Sequence, residues 1–272
     1  MLRIIGVHGV NQFHSGWEPD TRSAQLGEMW SAALTRSMAD VPFELTVPYF
    51  AHLLRGSASQ SGDSDPDSLD EEALEMLVAW DLELNGPVGV DQGDLTRIPR
   101  DVVGRMSGMP WGELPIQLFI LTFLRDVQRY LGKRNGERRI AARDHVADKI
   151  RSTGAHVVVG HSLGSVVAYE ALSAHPDIEV DVLVTIGSPL GLPKAVFNRL
   201  SPKPVTRPAP RPPGVRKWVN ISDVGDLCAI PKGFATSFAV DREHETEIHA
   251  FRYHSVLDYL AHEMTGKAVR GD

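Results

Sequence analysis

The sequence predicts an α/β protein: a mostly parallel central sheet with helices on both faces and a helical cap inserted into it. Three observations lead there. Short, continuous apolar runs rich in Val and Ile alternate with amphipathic helical patterns, as in a parallel sheet covered on both sides. That alternation lapses between about 51 and 135. The chain of 272 residues, 42% hydrophobic and 23% charged, suffices for one large domain of ordinary globular composition. The core is expected over 1–50 and 136–272, with the cap over 51–135.

Leu2–Val7 reads as a buried strand, a β-branched run ended by His8-Gly9. Across 21–39, Leu26, Met29, Trp30, Ala33, Leu34 and Met38 keep the i, i+3, i+4 spacing of an amphipathic helix. Residues 43–50 form a second strand candidate, and the Gly/Ser/Asp-rich stretch 54–67 is a loop. The spacing predicts a helix over 68–84, with Asp70, Glu71 and Glu72 in the first turn where the helix dipole favours them. No regular element is assigned over 85–113. The helix expected over 114–132 is apolar nearly all round, so it is buried, or covered by a moving segment or a partner.

A charged helix over 137–152 follows, then a strand at 156–159, a helix at 162–174 and strands at 180–186 and 217–222. Between Pro202 and Gly214, six prolines with Lys203, Arg207 and Arg211 make a semi-rigid surface loop. Residues 236–248 suggest a hairpin-like excursion, in which Glu243, Glu245 and Glu247 alternate as a solvated strand face would. A helix over 255–264 closes the chain.

Net charge is 28 − 35 = −7, so no broad basic field is present to hold a nucleic-acid backbone or an anionic membrane. The single cysteine, Cys228, excludes an internal disulfide, and no Cys/His spacing resembles a zinc site. The N-terminus enters a strand at once, without the pattern of a secretory signal. The longest apolar stretch, Leu114 to Leu124, contains Pro115 and Gln117 and is shorter than the roughly 20 residues a bilayer span needs. A soluble, cytoplasmic protein with a small-molecule partner is expected, with no nucleic acid and no stable membrane insertion.

Gly160-His161-Ser162-Leu163-Gly164 fits G-x-S-x-G. Three fixed positions are weak alone, with roughly 0.1 matches expected by chance in a chain this long. Context strengthens them: the motif joins a strand to a helix, as a nucleophile elbow does. A serine hydroxyl needs a base to take its proton and a carboxylate to orient that base. In the chain order Ser, Asp, His, the segment after the 217–222 strand offers Asp223 and Asp226, and His254 stands just before the last helix. Leu163, after the nucleophile, is placed to supply one oxyanion N–H, and Val10, after His8-Gly9, the other.

"VHGV", "GHSLGS", "TIGSPLG", "WVNISDVGDLCAIP" and "YHSVLDYL" together resemble the α/β-hydrolase superfamily, most of all its compact lipase and carboxylesterase branch. The resemblance spans about 1–50 and 137–262 and leaves the middle insertion unmatched. It implies the α/β-hydrolase fold, with Ser162 as nucleophile, His254 as base and Asp226, in preference to Asp223, as acid. One departure is that Leu227 and Cys228 follow the acid, where the family often has proline and valine.

The expected activity is hydrolysis, through an acyl-enzyme, of a carboxylic ester or thioester with a hydrophobic acyl portion, needing no metal or cofactor. Met109, Trp111 and Phe119, with Met106, Leu118 and Phe123, either line an acyl pocket or form the core of the cap. His161 is expected to pack beside the site, and Cys228 to pack near the acid. His14, His52, His244 and His249 lack ligand spacing and are expected on loops or the surface. The same triad serves acyl transfer, lactone closure or peptide cleavage, and the scaffold can also serve a non-catalytic binding protein. The apolar helix leaves a homodimer through the cap open. Lipase and soluble-ester esterase are not separated by the sequence.

Overall fold

The computed structural model describes residues 1–55, 69–86, 102, 113–132, 136–229, 233–248 and 254–272. Its strands are β1 (Leu2–Val7), β2 (Phe43–Thr46), β3 (Val157–His161), β4 (Val180–Ile186), β5 (Val215–Asp223) and β6 (Arg242–Thr246). They form one sheet in the order β2-β1-β3-β4-β5-β6, and every neighbouring pair is parallel. The described helices are α1 (Pro19–Thr35), α2 (Glu71–Asn85), α3 (Glu113–Leu131), α4 (Gly136–Thr153), α5 (Leu163–Ala174), α6 (Val256–Ala261) and α7 (Glu263–Arg270).

Strand pleating explains why the central strands read as unbroken apolar runs. Ile5, Val7, Val158, Leu183 and Trp218 enter one buried cluster, while Ile4, Val157, Val159, Val184 and Ile221 enter the other. Alternate side chains therefore feed opposite layers, and both layers are covered. The second cluster is closed by Leu26, Trp30 and Leu34 of α1, Tyr259 and Leu260 of α6, and Val269 of α7. The first is closed by α4 and α5.

The described helices of the 51–135 stretch root in that same first layer. Met76, Leu77 and Trp80 of α2 and Leu121, Phe123, Leu124 and Tyr130 of α3 belong to it. From residue 118 on, the apolar side chains of α3 are thus largely covered, although Leu118 itself stays 45% exposed. Helix α2 starts where Asp70 accepts a hydrogen bond from the Ala73 N–H at 2.9 Å, and it stops at Gly86, whose φ is 74°.

Four expectations need correction. The excursion over 236–248 is not a hairpin: β6 runs parallel to β5, reached by a crossover from Val224 to Asp241. The crossover is held by Phe234 and Phe238, whose rings lie 5.6 and 5.3 Å from Trp218. Glu243 is not simply solvated, since its carboxylate accepts the Phe234 and Ala235 N–H groups at 2.5 and 3.0 Å. The closing helix is two helices, because His262 adopts an extended backbone (ψ 137°) and its ring accepts the Met264 N–H at 3.3 Å, starting α7. Strand β2 is also shorter than expected and ends before Pro48, which has no N–H to give the ladder.

In an all-parallel sheet every strand ends on the same edge. His8-Gly9, Ser162, Gly187 and Asp226 all follow strand ends and meet there.

Candidate active site

Ser162 sits on the turn between β3 and α5 with φ 55° and ψ −132°, a backbone region that L residues adopt at a cost of about 1–3 kcal/mol. The surroundings hold it there. Its N–H donates to Ile186 O at 3.2 Å, and its carbonyl accepts from the Ser165 N–H at 2.9 Å and hydroxyl at 2.6 Å. The motif glycines are required by close approach: a Cβ on Gly164 would lie 2.0 Å from Val7 O, and one on Gly160 2.7 Å from Ser165 Cα. Ser162 is 0% exposed, and its Oγ has no hydrogen-bond partner among the described residues.

Asp226 follows β5 and faces His254, whose Nδ1 lies 2.8 Å from Oδ2 and 2.9 Å from Oδ1. Two further donors hold the carboxylate: the Cys228 N–H reaches Oδ1 and the Tyr259 hydroxyl reaches Oδ2, both at 2.8 Å. Burial is the largest single influence on Asp226 and pushes its pKa up. The neighbouring His254 charge and the three hydrogen-bond donors outweigh it and bring the value down to about 2. His254 is 8% exposed with φ 88°, and its Nε2 has no partner among the described residues. Gly187 (φ 53°) lets the chain pass close by, since a Cβ there would sit 2.8 Å from Asp226 Oδ2 and 3.2 Å from His254 Cε1.

The two aspartates of the segment separate clearly. Asp223 accepts from the Gly225 N–H at 2.7 Å and the Ile248 N–H at 2.5 Å, so it braces the turn and the end of β6. Asp226 alone of the two is bonded to His254 in the described contacts.

Aromatic rings enclose the imidazole. His161 lies 4.5 Å away, Phe119 5.3 Å away, and Phe123 meets the ring edge-on at 6.4 Å. Trp80 packs tilted against Phe123 at 4.7 Å and its indole N–H donates to Leu227 O at 2.9 Å, tying α2 to the acid turn. Phe119 thus lies against the His254 ring, whereas Met106, Met109 and Trp111 lie outside the described residues. His161 packs beside the site as expected. Cys228 is buried, and burial together with Asp226 pushes its thiol pKa well up.

Leu163 opens α5, so its N–H is one of those that a helix start leaves without an intrahelical acceptor. Val10 follows Gly9, and a Cβ on Gly9 would lie 2.6 Å from Ser162 Cβ, so that loop rests directly against the nucleophile turn. A small cavity lined by Gly9, Phe13, Leu54, Arg55, Arg129 and Leu163, among others, adjoins it.

Of the other histidines, His14 packs near Trp17 at 5.2 Å and His52 stacks on Tyr49 at 5.3 Å, while His244 is half-buried on β6. His249 lies outside the described residues. Among the described residues, one group of His, Cys, Asp or Glu is close enough to share a metal ion: Asp226, Cys228 and His254. Two of its members are already engaged with each other, and the third is held as a neutral thiol. No described helix is long and apolar enough to cross a membrane.

Sequence reasoning missed Tyr259, Trp80 and the role of His8 beside the loop. Tyr259 carried a usable signal, because in a helix that begins just after His254 it lies within reach of the same acid.

No protein-family model matches the chain, and no curated protein matches it significantly. Among solved structures, it is similar to an esterase domain from a Rhodothermus marinus protein, with 10% identity and a TM-score of 0.40 over 99% of this chain and 86% of the other. It is also similar to an uncharacterized protein from Pseudomonas aeruginosa, at 8% identity and a TM-score of 0.37 over 98% of this chain and 46% of that one. At such distances, the chemistry of the site has to rest on its own residues.

Proposed function

We propose that this protein is a serine hydrolase of the α/β-hydrolase type, acting on a carboxylic ester or thioester with a hydrophobic acyl portion. One observation carries the proposal. Asp226 holds His254 by Nδ1 and, among the described residues, Nε2 has no partner, on the same strand edge as a strained serine whose Oγ also has none there. A buried imidazole oriented by a carboxylate is the arrangement that activates a hydroxyl.

In the proposed reaction, Ser162 Oγ attacks the carbonyl carbon while His254 Nε2 takes its proton. The oxygen becomes an oxyanion facing the Val10 and Leu163 N–H groups, aided by the positive end of α5. Collapse expels the alcohol or thiol, which takes the proton from His254. A water deprotonated by the same nitrogen then attacks the acyl-enzyme; as the new intermediate collapses, Ser162 Oγ recovers that proton from His254 and the acid leaves. Phe119, partly exposed beside the His254 ring, offers apolar surface for the acyl group. We assign α2, α3 and the chain between them to the cap.

The test is intact-protein mass after exposure to a fluorophosphonate, on wild type and Ser162→Ala, followed by turnover of p-nitrophenyl esters of increasing acyl length. A single adduct on wild type alone, with turnover that depends on acyl length, is expected. A folded wild type that neither labels nor turns over any ester defeats the proposal. Product other than free acid in the presence of an added alcohol would redirect it to acyl transfer.

A further inference from the structure

We infer that His8 is a positioning residue for the oxyanion site: its imidazole holds the Gly9–Val10 peptide so that the Val10 N–H faces the carbonyl attacked by Ser162. The inference rests on the serine-hydrolase proposal for the existence of that carbonyl. It names the part that sets the donor's direction.

His8 follows directly after β1 and is 1% exposed. Its ring lies flat on Phe50, with centroids 4.0 Å apart and planes 4° from parallel. Both nitrogens are used, each by backbone. Nε2 accepts the Phe50 N–H at 3.2 Å. A ring nitrogen that accepts carries no proton, so the neutral imidazole carries its proton on Nδ1 and donates it to Gly9 O at 3.0 Å. Burial keeps the ring neutral, lowering its pKa to about 4 against the opposing pull of the Gly9 bond. Arg22, His145 and His52 add to the lowering.

The consequence follows from peptide geometry. Among the described residues the cis bonds precede Pro202 and Pro208, so the Gly9–Val10 bond is trans. In a trans peptide the carbonyl and the N–H point in opposite directions. With Gly9 O drawn to His8, the Val10 N–H is turned to the other side of a peptide that borders Ser162.

The next peptide is fixed as well. Asn11, at φ 60°, donates its N–H to Asp126 Oδ2 at 2.8 Å, and Asp126 is buried and bonded to Arg129 at 2.7 Å. Two successive peptides are therefore anchored, one by its oxygen and one by its hydrogen. Flipping either breaks a part-buried or buried hydrogen bond. The relay from Nδ1–H through the Gly9 carbonyl also polarises the Val10 N–H and makes it a better donor. A histidine that only filled space would need neither nitrogen.

The substitutions His8→Asn and His8→Gln separate the two ring atoms. The asparagine amide reaches about as far as Nδ1 and keeps a donor for Gly9 O. The glutamine amide reaches about as far as Nε2 and keeps only the acceptor for Phe50. His8→Gln is expected to slow fluorophosphonate labelling and kcat about tenfold or more, with KM little changed, because an oxyanion donor acts on the transition state. That is less than the roughly 10²–10³ lost with a whole donor. His8→Asn is expected to recover most of the rate.

Nitrogen NMR of the wild type reads the same clamp without any variant, with a protonated Nδ1 and a bare Nε2 expected at neutral pH. A glutamine variant at wild-type rate, a folded asparagine variant no faster than the glutamine one, or a His8 protonated on Nε2 would each overturn the inference. If both variants unfold, the tautomer decides. A wild type that never labels counts against the hydrolase proposal instead, and the tautomer still reports on the clamp.

Discussion

Two buried carboxylates in this molecule have nearly the same surroundings and opposite prospects. Glu170, in the middle of α5, is 0% exposed, and Asp226 is 3% exposed. Each accepts a tyrosine hydroxyl at 2.8 Å, from Tyr130 and Tyr259 respectively. Each accepts a backbone N–H, from Ser201 at 2.7 Å and Cys228 at 2.8 Å. Each faces one basic side chain, Arg139 for Glu170 and His254 for Asp226. Only that last partner differs in kind. Arg139 keeps its proton at any working pH and also donates to Arg199 O at 2.7 Å, so it ties α3, α4 and α5 to the turn after β4. An imidazole can release a proton, and His254 Nε2 has no hydrogen-bond partner among the described residues. The shell makes a buried charge tolerable, and under the proposed reaction the partner decides whether the place is a rivet or a proton path.

Exchanging each acid for its amide should separate the two roles most widely. Asp226→Asn places an amide N–H against His254 Nδ1 and favours the wrong tautomer. We expect kcat on a p-nitrophenyl ester to fall on the order of 10³–10⁴ with a modest change in melting. Glu170→Gln leaves Arg139 without its counter-charge in a mostly buried setting and should cost about 3–5 kcal/mol in urea unfolding. Its kcat per folded molecule should stay within a few-fold of wild type. Comparable loss of kcat in a folded Glu170→Gln protein would erase the distinction.

Acid unfolding should reveal two steps from the two groups beside Ser162. His8 has a folded pKa of about 4 against an ordinary 6.5, so the unfolded chain binds more protons between those values. Stability present above pH 6.5 is then lost as pH falls toward 4, by on the order of 3 kcal/mol. Asp226 acts lower: with a folded pKa of about 2, its contribution is complete above about pH 4 and fades as pH falls toward 2. Unfolding free energy followed from pH 8 to 2 in wild type and His8→Asn checks the assignment. The variant should lack the upper decline and keep the lower one.

Much of this is legible in the sequence. Strand ends, turn residues and chain order are local signals, and they singled out Ser162, His254 and the pair Asp223 and Asp226, between which the family resemblance preferred Asp226. The parallel sheet brings these strand ends to one edge. The direction of β6 was not legible, because period-two alternation is the same in parallel and antiparallel strands and only the crossover decides. Glu170 went unnoticed although its signal was present, a single charge in the otherwise apolar helix LGSVVAYEALSA. Its partners come from α3, α4 and the turn after β4, which no window of sequence brings together. The same holds for His8: the strand-ending His-Gly was visible, but the bond that gives it a role depends on Phe50, from a different turn.

The finest test of the comparison is the pair of tyrosines. Tyr130→Phe removes a single donor from Glu170 and keeps the ring beside Arg139, whose guanidinium lies 5.5 Å from the ring centre. Tyr259→Phe removes the donor to Asp226 and also the acceptor of the Asp223 N–H at 2.8 Å. Both should therefore lose stability by about 1–3 kcal/mol, the Tyr259 variant more, because it leaves a buried N–H unsatisfied. Rates should diverge. With Cys228 and His254 still holding Asp226, Tyr259→Phe should slow kcat only a few-fold, yet measurably, whereas Tyr130→Phe should leave kcat per folded molecule at the wild-type value. Equal slowing by both would mean that the anchor of α3 on α5 also sets the geometry at His254, through Phe119 and Phe123 on that same helix. The rivet would then be part of the site, acting through the wall it holds in place.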